Sequence, residues 1–140
     1  MKIDSIKNGI VLDHITAGKG MEVYETLGLD KLDCSVAIIK NVKSQKMGKK
    51  DILKIDNDFK VDVDVLGYLD PGVTVCIIKD GKMVEKKKPS LPEKIVNVER
   101  CKNPRCITSV EQDLDHIFYL ANRKERIYRC IYCESKVEKK

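Results

Sequence analysis

The apolar positions of this 140-residue chain change period several times, and those changes divide it into elements. GIVLDHI, 9–15, is an apolar run beginning at a glycine and predicts a strand. GKGMEVYETLG, 18–28, sets Met21, Tyr24 and Leu27 at helical spacing ahead of Gly28, a residue suited to end a helix. CSVAIIKNV, 34–42, predicts a strand, and KSQKMGKK a polar turn region. DILKIDN, 51–57, predicts the next strand, with Asp51, Leu53 and Ile55 on one alternation and Ile52 off it.

KVDVDVLGYLDPG, 60–72, fits two periods. VDVDV alternates as a strand does, while Val61, Val65 and Leu69 recur every four residues; the helix is the preferred reading. VTVCIIK, 73–79, predicts a strand, Asp80-Gly81 a hairpin turn and KMVEKKK, 82–88, the return strand. KPSLPE, with two prolines, reads as an extended connection, and EKIVNVE as a strand-like hinge into the rest of the chain. With a helix at 61–70 the order is β-α-β-β-α-β plus one strand, the ferredoxin-like pattern of an α+β domain.

Composition narrows the class. Hydrophobic residues make up 42%, enough for a core, and charged residues 35%, which implies a well-solvated surface. No apolar run approaches the roughly 20 residues that cross a bilayer. MKIDSIKNG lacks the apolar stretch of a signal peptide, so the expectation is a soluble, cytoplasmic protein with no membrane partner. The net charge of +5 is divided: residues 1–98 carry 17 Lys/Arg against 15 Asp/Glu, and residues 99–140 carry 10 against 7. Neither part has the charge of a strongly basic nucleic-acid binder.

Four of the six cysteines follow residue 100: Cys101, Cys106, Cys130 and Cys133, as C-x4-C and C-x2-C with 23 residues between the pairs. Two close pairs on separate loops can bring four sulfurs onto one tetrahedral zinc ion. Asn103 and Pro104 favour a tight turn in the first loop. Disulfides are disfavoured in a cytoplasmic chain. A four-sulfur shell leaves no open position for water, so the zinc is structural; iron suits the same ligands. So short a segment needs its metal as a staple. Cys34 and Cys76, in apolar runs, read as buried thiols.

Asp13 and His14 stand side by side in the first strand. In an ideal strand, neighbours point to opposite faces, with Ile10, Leu12 and His14 on one and Val11, Asp13 and Ile15 on the other. Asp13 therefore does not orient His14, and no motif supplies a nucleophile. The pair reads as polar residues at a strand end, with a ligand contact as the alternative. Lys40, Lys43, Lys46, Lys49, Lys50 and Lys54 fall in one 15-residue window, and Lys79, Lys82, Lys86, Lys87 and Lys88 in another. They form either a solvated hairpin surface or an anion site. In the second case Lys54 and Lys86 could converge with the first strand on a polyphosphate. No P-loop or GxGxxG is present, so such a site would hold a nucleotide without hydrolysing it.

Four motifs together, IKNGIVLDHI (6–15), MGKKDILKI (47–55), KKPSLPEKIVNV (87–98) and the cysteine cluster, resemble the regulatory-chain family of aspartate carbamoyltransferase. The resemblance spans almost the whole chain. It implies a ferredoxin-like allosteric nucleotide-binding domain at 1–93, then a small, mainly β zinc domain at 94–140 that contacts the catalytic chain. Chains of this family are not enzymes. They pair as homodimers and join catalytic trimers into a holoenzyme controlling pyrimidine biosynthesis, where CTP and ATP compete. Carried over by motif, Asp13 and His14 would meet the ribose and phosphate side of the nucleotide, and Lys54 and Lys86 its ribose and phosphates. Ile6, Val11, Ile78 and Met83 would line the base pocket, and Asn103 and Glu134 would face the catalytic chain. This chain departs from the family form at Cys76, where the family has Asn, at Gly81, where it has Tyr, and at Arg105, where it has a small polar residue. A zinc-ribbon nucleic-acid binder is the rival reading. Phe118, Tyr119, Tyr128 and Tyr132, interleaved with Arg123, Lys124, Arg126 and Arg129, give it its support.

Overall fold

The computed structural model describes residues 7–57 and 60–137. The chain divides into two compact units between Ser90 and Leu91. In the first unit, β1 (Gly9–Thr16) leads into α1 (Gly20–Thr26) and a single 3-10 turn (Leu29–Lys31). β2 (Val36–Ser44) and β3 (Gly48–Ile55) form a hairpin, followed by α2 (Val63–Leu69), β4 (Thr74–Lys79) and β5 (Lys82–Lys87). The strands form one antiparallel sheet in the order β2-β3-β1-β4-β5. This is the ferredoxin-like arrangement with β5 added at one edge.

Residues 61–70 are mostly helical because both ends are specified. Asp62 caps α2, its carboxyl accepting from the N–H of Asp64 (3.1 Å) and Val65 (3.2 Å). Asp70-Pro71-Gly72 ends it. The apolar stripe differs from the expected one: Leu66, Tyr68 and Leu69 are buried, while Val61 and Val65 are half-buried. In α1, too, Val23 and Gly20 face inward and Met21, expected on the apolar stripe, is 43% exposed. Gly28 takes the left-handed conformation (φ 70°) just beyond α1, as expected. Asp80 and Gly81 both have positive φ (52° and 76°), which gives the β4–β5 hairpin a twist that matches its strands. The β2–β3 strands run further into KSQKMGKK than the polar composition suggested, pairing as far as Ser44 with Gly48.

The core of this unit lies between one sheet face and the helices. Leu12, Leu53 and Val75 are cross-strand neighbours on β1, β3 and β4, each at most 2% exposed. Burying a side chain of this kind contributes about 1.5–3 kcal/mol. Asp51 is buried in the same layer, fully enclosed. Its carboxyl accepts from the N–H groups of Gly18, Gly20 and Asn41, each at 3.0 Å. The start of α1 and a bulge in β2 are thereby pinned to β3.

In the second unit, β6 (Lys94–Val96), β7 (Ile117–Asn122) and β8 (Ile127–Cys130) form an antiparallel sheet in the order β6-β7-β8, with a one-turn α3 (Ile107–Val110) before β7. Ile95, Phe118 and Tyr128 fill its core beside the cysteines. Residues 91–93, expected with the first domain, are bonded into this unit. The carbonyls of Leu91, Pro92 and Glu93 accept from Arg123 Nη1 (3.3 Å), Tyr128 Oη (2.5 Å) and Leu120 N–H (2.8 Å). Among the described residues no helix is long and apolar enough to cross a membrane.

Candidate effector face and metal centre

Strict alternation fails in β1 at the residues of most interest. Leu12 pairs with Leu53 and Ile15 with Asp51, so Asp13 and His14 together oppose the single residue Ile52. This is a β-bulge, and it returns Ile15 to the core face with Ile10 and Leu12, all at most 4% exposed. His14 takes φ 59°, a region where histidine is enriched among residues other than glycine. The expected separation of Asp13 from His14 is therefore overturned. The His14 N–H donates to Asp13 Oδ1 at 2.7 Å, and His14 Nδ1 lies 4.0 Å from Asp13 Oδ2. His14 Nδ1 also lies 3.2 Å from Thr74 Oγ1.

Lys50 Nζ lies 2.9 Å from Asp13 Oδ1. Burial raises the Asp13 pKa, but the hydrogen bonds from Lys50 and from the His14 N–H, with the Lys50 charge, outweigh it and hold the carboxyl below its ordinary value. Lys50 lies in the first lysine cluster, where nothing in the spacing distinguishes it. The bulge that brings it to Asp13 has no marker in the sequence.

The face of the sheet away from the core collects the other expected residues. Ala37, Lys54, Val11, Cys76 and Lys86 form one cross-strand row over β2, β3, β1, β4 and β5. Lys54 and Lys86 are three strands apart, about 14 Å at a spacing of about 4.8 Å, so both side chains can lean over β1 and β4. Among the described residues neither makes an ion pair with a carboxyl group. On one side of this row lies the polar group of Asp13, His14, Lys50 and Thr74. On the other side Ile78 pairs with Met83, which is 56% exposed. Ile6 lies outside the described residues. Cys76 sits between Val11 and Lys86, half-buried. Burial and then the Asp13 charge push its thiol up, against the lowering effect of Lys86, so it is a poor nucleophile.

The second unit gathers its four cysteines. The Sγ atoms of Cys101, Cys106, Cys130 and Cys133 all lie within 4.8 Å of one another. Cys101 and Cys133 are 3.5 Å apart at sulfur, Cys106 and Cys130 3.7 Å. A tetrahedron of metal–sulfur bonds of about 2.3 Å has edges of about 3.8 Å, so the cluster fits one ion. The first knuckle is shaped by Asn103: its carbonyl accepts from Cys106 N–H (3.0 Å) and Ser109 Oγ (2.7 Å), and its Oδ1 from Arg105 N–H (3.0 Å). The second follows β8, where Glu134 (φ 65°) donates its N–H to the Cys130 carbonyl at 2.9 Å.

Hydroxyls surround the sulfurs. Thr108 Oγ1 lies 3.1 Å from Cys106 Sγ and Ser135 Oγ 3.3 Å from Cys133 Sγ. Burial pushes the Cys101 thiol up to about 12 and raises that of Cys130. Burial also opposes ionisation of Cys133, but hydrogen bonds with Ser135 and Asn103 outweigh it and bring that thiol to about 6. Four thiolates so close together need a cation between them.

Asn103 is half-buried, its Nδ2 donating to Ser135 Oγ at 3.4 Å, on a hollow of about 280 Å³ also lined by Lys102, Pro104 and Lys136. Glu134 is exposed; its carboxyl accepts from the Tyr119 hydroxyl and its carbonyl from Arg129 Nη1 at 2.8 Å. The aromatic platform of the nucleic-acid rival is broken up, since Phe118 and Tyr128 are at most 3% exposed and only Tyr132 stands well clear.

Comparison with known proteins covers both units. Residues 1–90 match the family model of the aspartate carbamoyltransferase regulatory chain, allosteric domain. Residues 93–140 match that of the same chain's metal binding domain. The chain is 49% identical over 134 residues to an aspartate carbamoyltransferase regulatory chain of Clostridium botulinum (strain Hall), covering 96% of this chain and 92% of that one. It is 49% identical over 135 residues to the regulatory chain of Clostridium tetani (96% and 94%), and 43% identical over 138 residues to that of Bifidobacterium longum (99% of each). The chain belongs to the aspartate carbamoyltransferase regulatory-chain family: a non-catalytic chain with an allosteric domain followed by a metal-binding domain.

Proposed function

We propose that the open face of the five-stranded sheet is a nucleotide effector site, where CTP and ATP compete. The row Lys54–Val11–Cys76–Lys86 carries this reading. It sets two cations, without carboxyl partners among the described residues, over an otherwise apolar strip. Phosphates meet Lys54, Lys86 and Lys50, with His14 beside them; the base lies toward Val11, Ile78 and Met83, and the ribose between. Asp13 is already balanced by Lys50, so it does not repel the phosphates. No group on this face is placed to attack a phosphoanhydride, and the ligand leaves unchanged.

The second unit holds one structural zinc ion on its four cysteines and docks on the catalytic chain of aspartate carbamoyltransferase, with Asn103 and Glu134 at the contact. Chains pair as homodimers that join catalytic trimers, in the cytoplasm. Nucleotide binding biases the assembly between two quaternary states, by no more than its difference in affinity for them. Flux into pyrimidine biosynthesis is then set by the CTP-to-ATP ratio.

The test is co-expression with the catalytic chain, followed by activity measured with and without each nucleotide. A co-purifying assembly whose activity changes with CTP or ATP supports the reading. Catalytic chains that purify alone, or an assembly indifferent to both nucleotides, overturn it.

A further inference from the structure

The four cysteine sulfurs differ in what faces them. Four thiolates around a divalent ion leave a net charge of about −2, which the groups around them must offset. The backbone serves three of the sulfurs: Asn103 bonds Cys101, Tyr132 and Cys133 bond Cys130, and Ser135 bonds Cys133. Cys106 is placed differently, as the N-cap residue of α3, and there the donor is a side chain. Thr108 Oγ1 donates to Cys106 Sγ at 3.1 Å. A threonine inside a helix often bonds a carbonyl one turn back. This one turns to sulfur, while the neighbouring Ser109 Oγ donates to the Asn103 carbonyl at 2.7 Å. Burial decides which hydroxyl matters more. Cys106 is 2% exposed and Thr108 4%, so solvent has almost no access to this sulfur if the hydroxyl is lost. Ser135 and Cys133 are only half-buried, and water can replace the hydroxyl there.

We infer that Thr108 is a positioning residue of the metal centre, its hydroxyl holding Cys106 in place as a ligand and offsetting part of the thiolate charge. Removing a hydrogen-bond partner behind a metal ligand typically costs roughly 10–100-fold in metal affinity. The loss falls at the upper end where neither solvent nor a second side chain can take the partner's place. The inference rests on the four-cysteine metal reading and adds to it a residue that steadies the site without touching the ion.

The experiment loads the full chain, as wild type, Thr108→Val and Thr108→Ser, with Zn2+ and separately with Co2+. Valine keeps the shape of the side chain and removes the donor; serine keeps the donor. Two quantities are read: Zn2+ affinity by competition with a chelator, and the position of the sulfur-to-cobalt charge-transfer band. Thr108→Val is expected to bind Zn2+ about tenfold or more weakly. Its cobalt band should move to longer wavelength, because a thiolate without its donor gives up an electron more readily. Thr108→Ser should stay within about threefold of wild type in affinity and keep the wild-type band. Wild-type affinity in Thr108→Val overturns the role. So does weaker binding with an unmoved band, which makes Thr108 a packing residue, and so does a serine variant no better than valine. Should Thr108→Val take up neither ion, Thr108→Ala is read by the same two quantities and decides. Wild type that binds neither ion sinks the metal reading and this role together, whereas wild type that binds both with unaltered variants sinks the role only.

Discussion

Lys50 Nζ lies 2.9 Å from Asp13 Oδ1, across a bulge that turns β1 at His14. The pair closes the polar end of the proposed effector face. Among the described residues Lys54 and Lys86 are left on that face without carboxyl partners. It also gives Asp13 a measurable signature.

Asp13 has a folded-state pKa below its ordinary value, so its contribution is present above about pH 4 and is lost as pH falls through the lower folded value. Asp13→Asn is expected to cost about 1 kcal/mol at neutral pH, given the partial exposure of the pair. Urea midpoints taken from about pH 7 down to about pH 3 should converge for wild type and variant. A gap that stays constant through the acid range would mean that the carboxyl charge is not what stabilises this corner.

Asp51→Ala should be among the most damaging substitutions in the first unit. It strips three backbone N–H groups of their acceptor in a site with no solvent exposure. An orphaned buried donor costs about 1–3 kcal/mol, so a loss of about 3 kcal/mol or more is expected. Chemical denaturation of the full chain measures it. A loss below about 1 kcal/mol would show that water replaces the carboxyl.

Metal removal should unfold the second unit and spare the first. Cys130→Ser or a strong chelator is expected to abolish the cooperative transition of residues 91–140 while nucleotide binding persists. Because burial holds Cys101 and Cys130 protonated without a cation, loading the site releases protons and must weaken on acidification. Metal release to a chromogenic chelator should therefore speed up steadily as pH falls below about 6. Release independent of pH would contradict the four-thiolate site.

Several features were legible from residue type alone. The Asp80-Gly81 hairpin, the Gly28 helix stop and the paired cysteine knuckles each follow from local chemistry. The helix at Val63–Leu69 was expected from the Val61, Val65, Leu69 repeat, although the Asp62 cap that starts it is the firmer local signal. What escaped was non-local. The β1 bulge depends on the pairing of Leu12 with Leu53 and of Ile15 with Asp51, which no spacing within 9–16 encodes. Without it, Asp13 and His14 fall on opposite faces, Lys50 has no role, and Asp51 is one more polar residue in a strand. Likewise Gly67 looks like a weak point in a helix until Ser90 is seen crossing it.

CTP and ATP are proposed to bind the face bearing Lys54, Val11, Cys76 and Lys86. Calorimetric titration of CTP into the full-length wild type, Lys54→Ala and Lys86→Ala, with ATP as competitor, tests it most directly. The predicted result is one site per chain, CTP displaced by ATP, and affinity about tenfold or more weaker in each variant at unchanged zinc content. Wild-type affinity retained in both lysine variants would contradict the account.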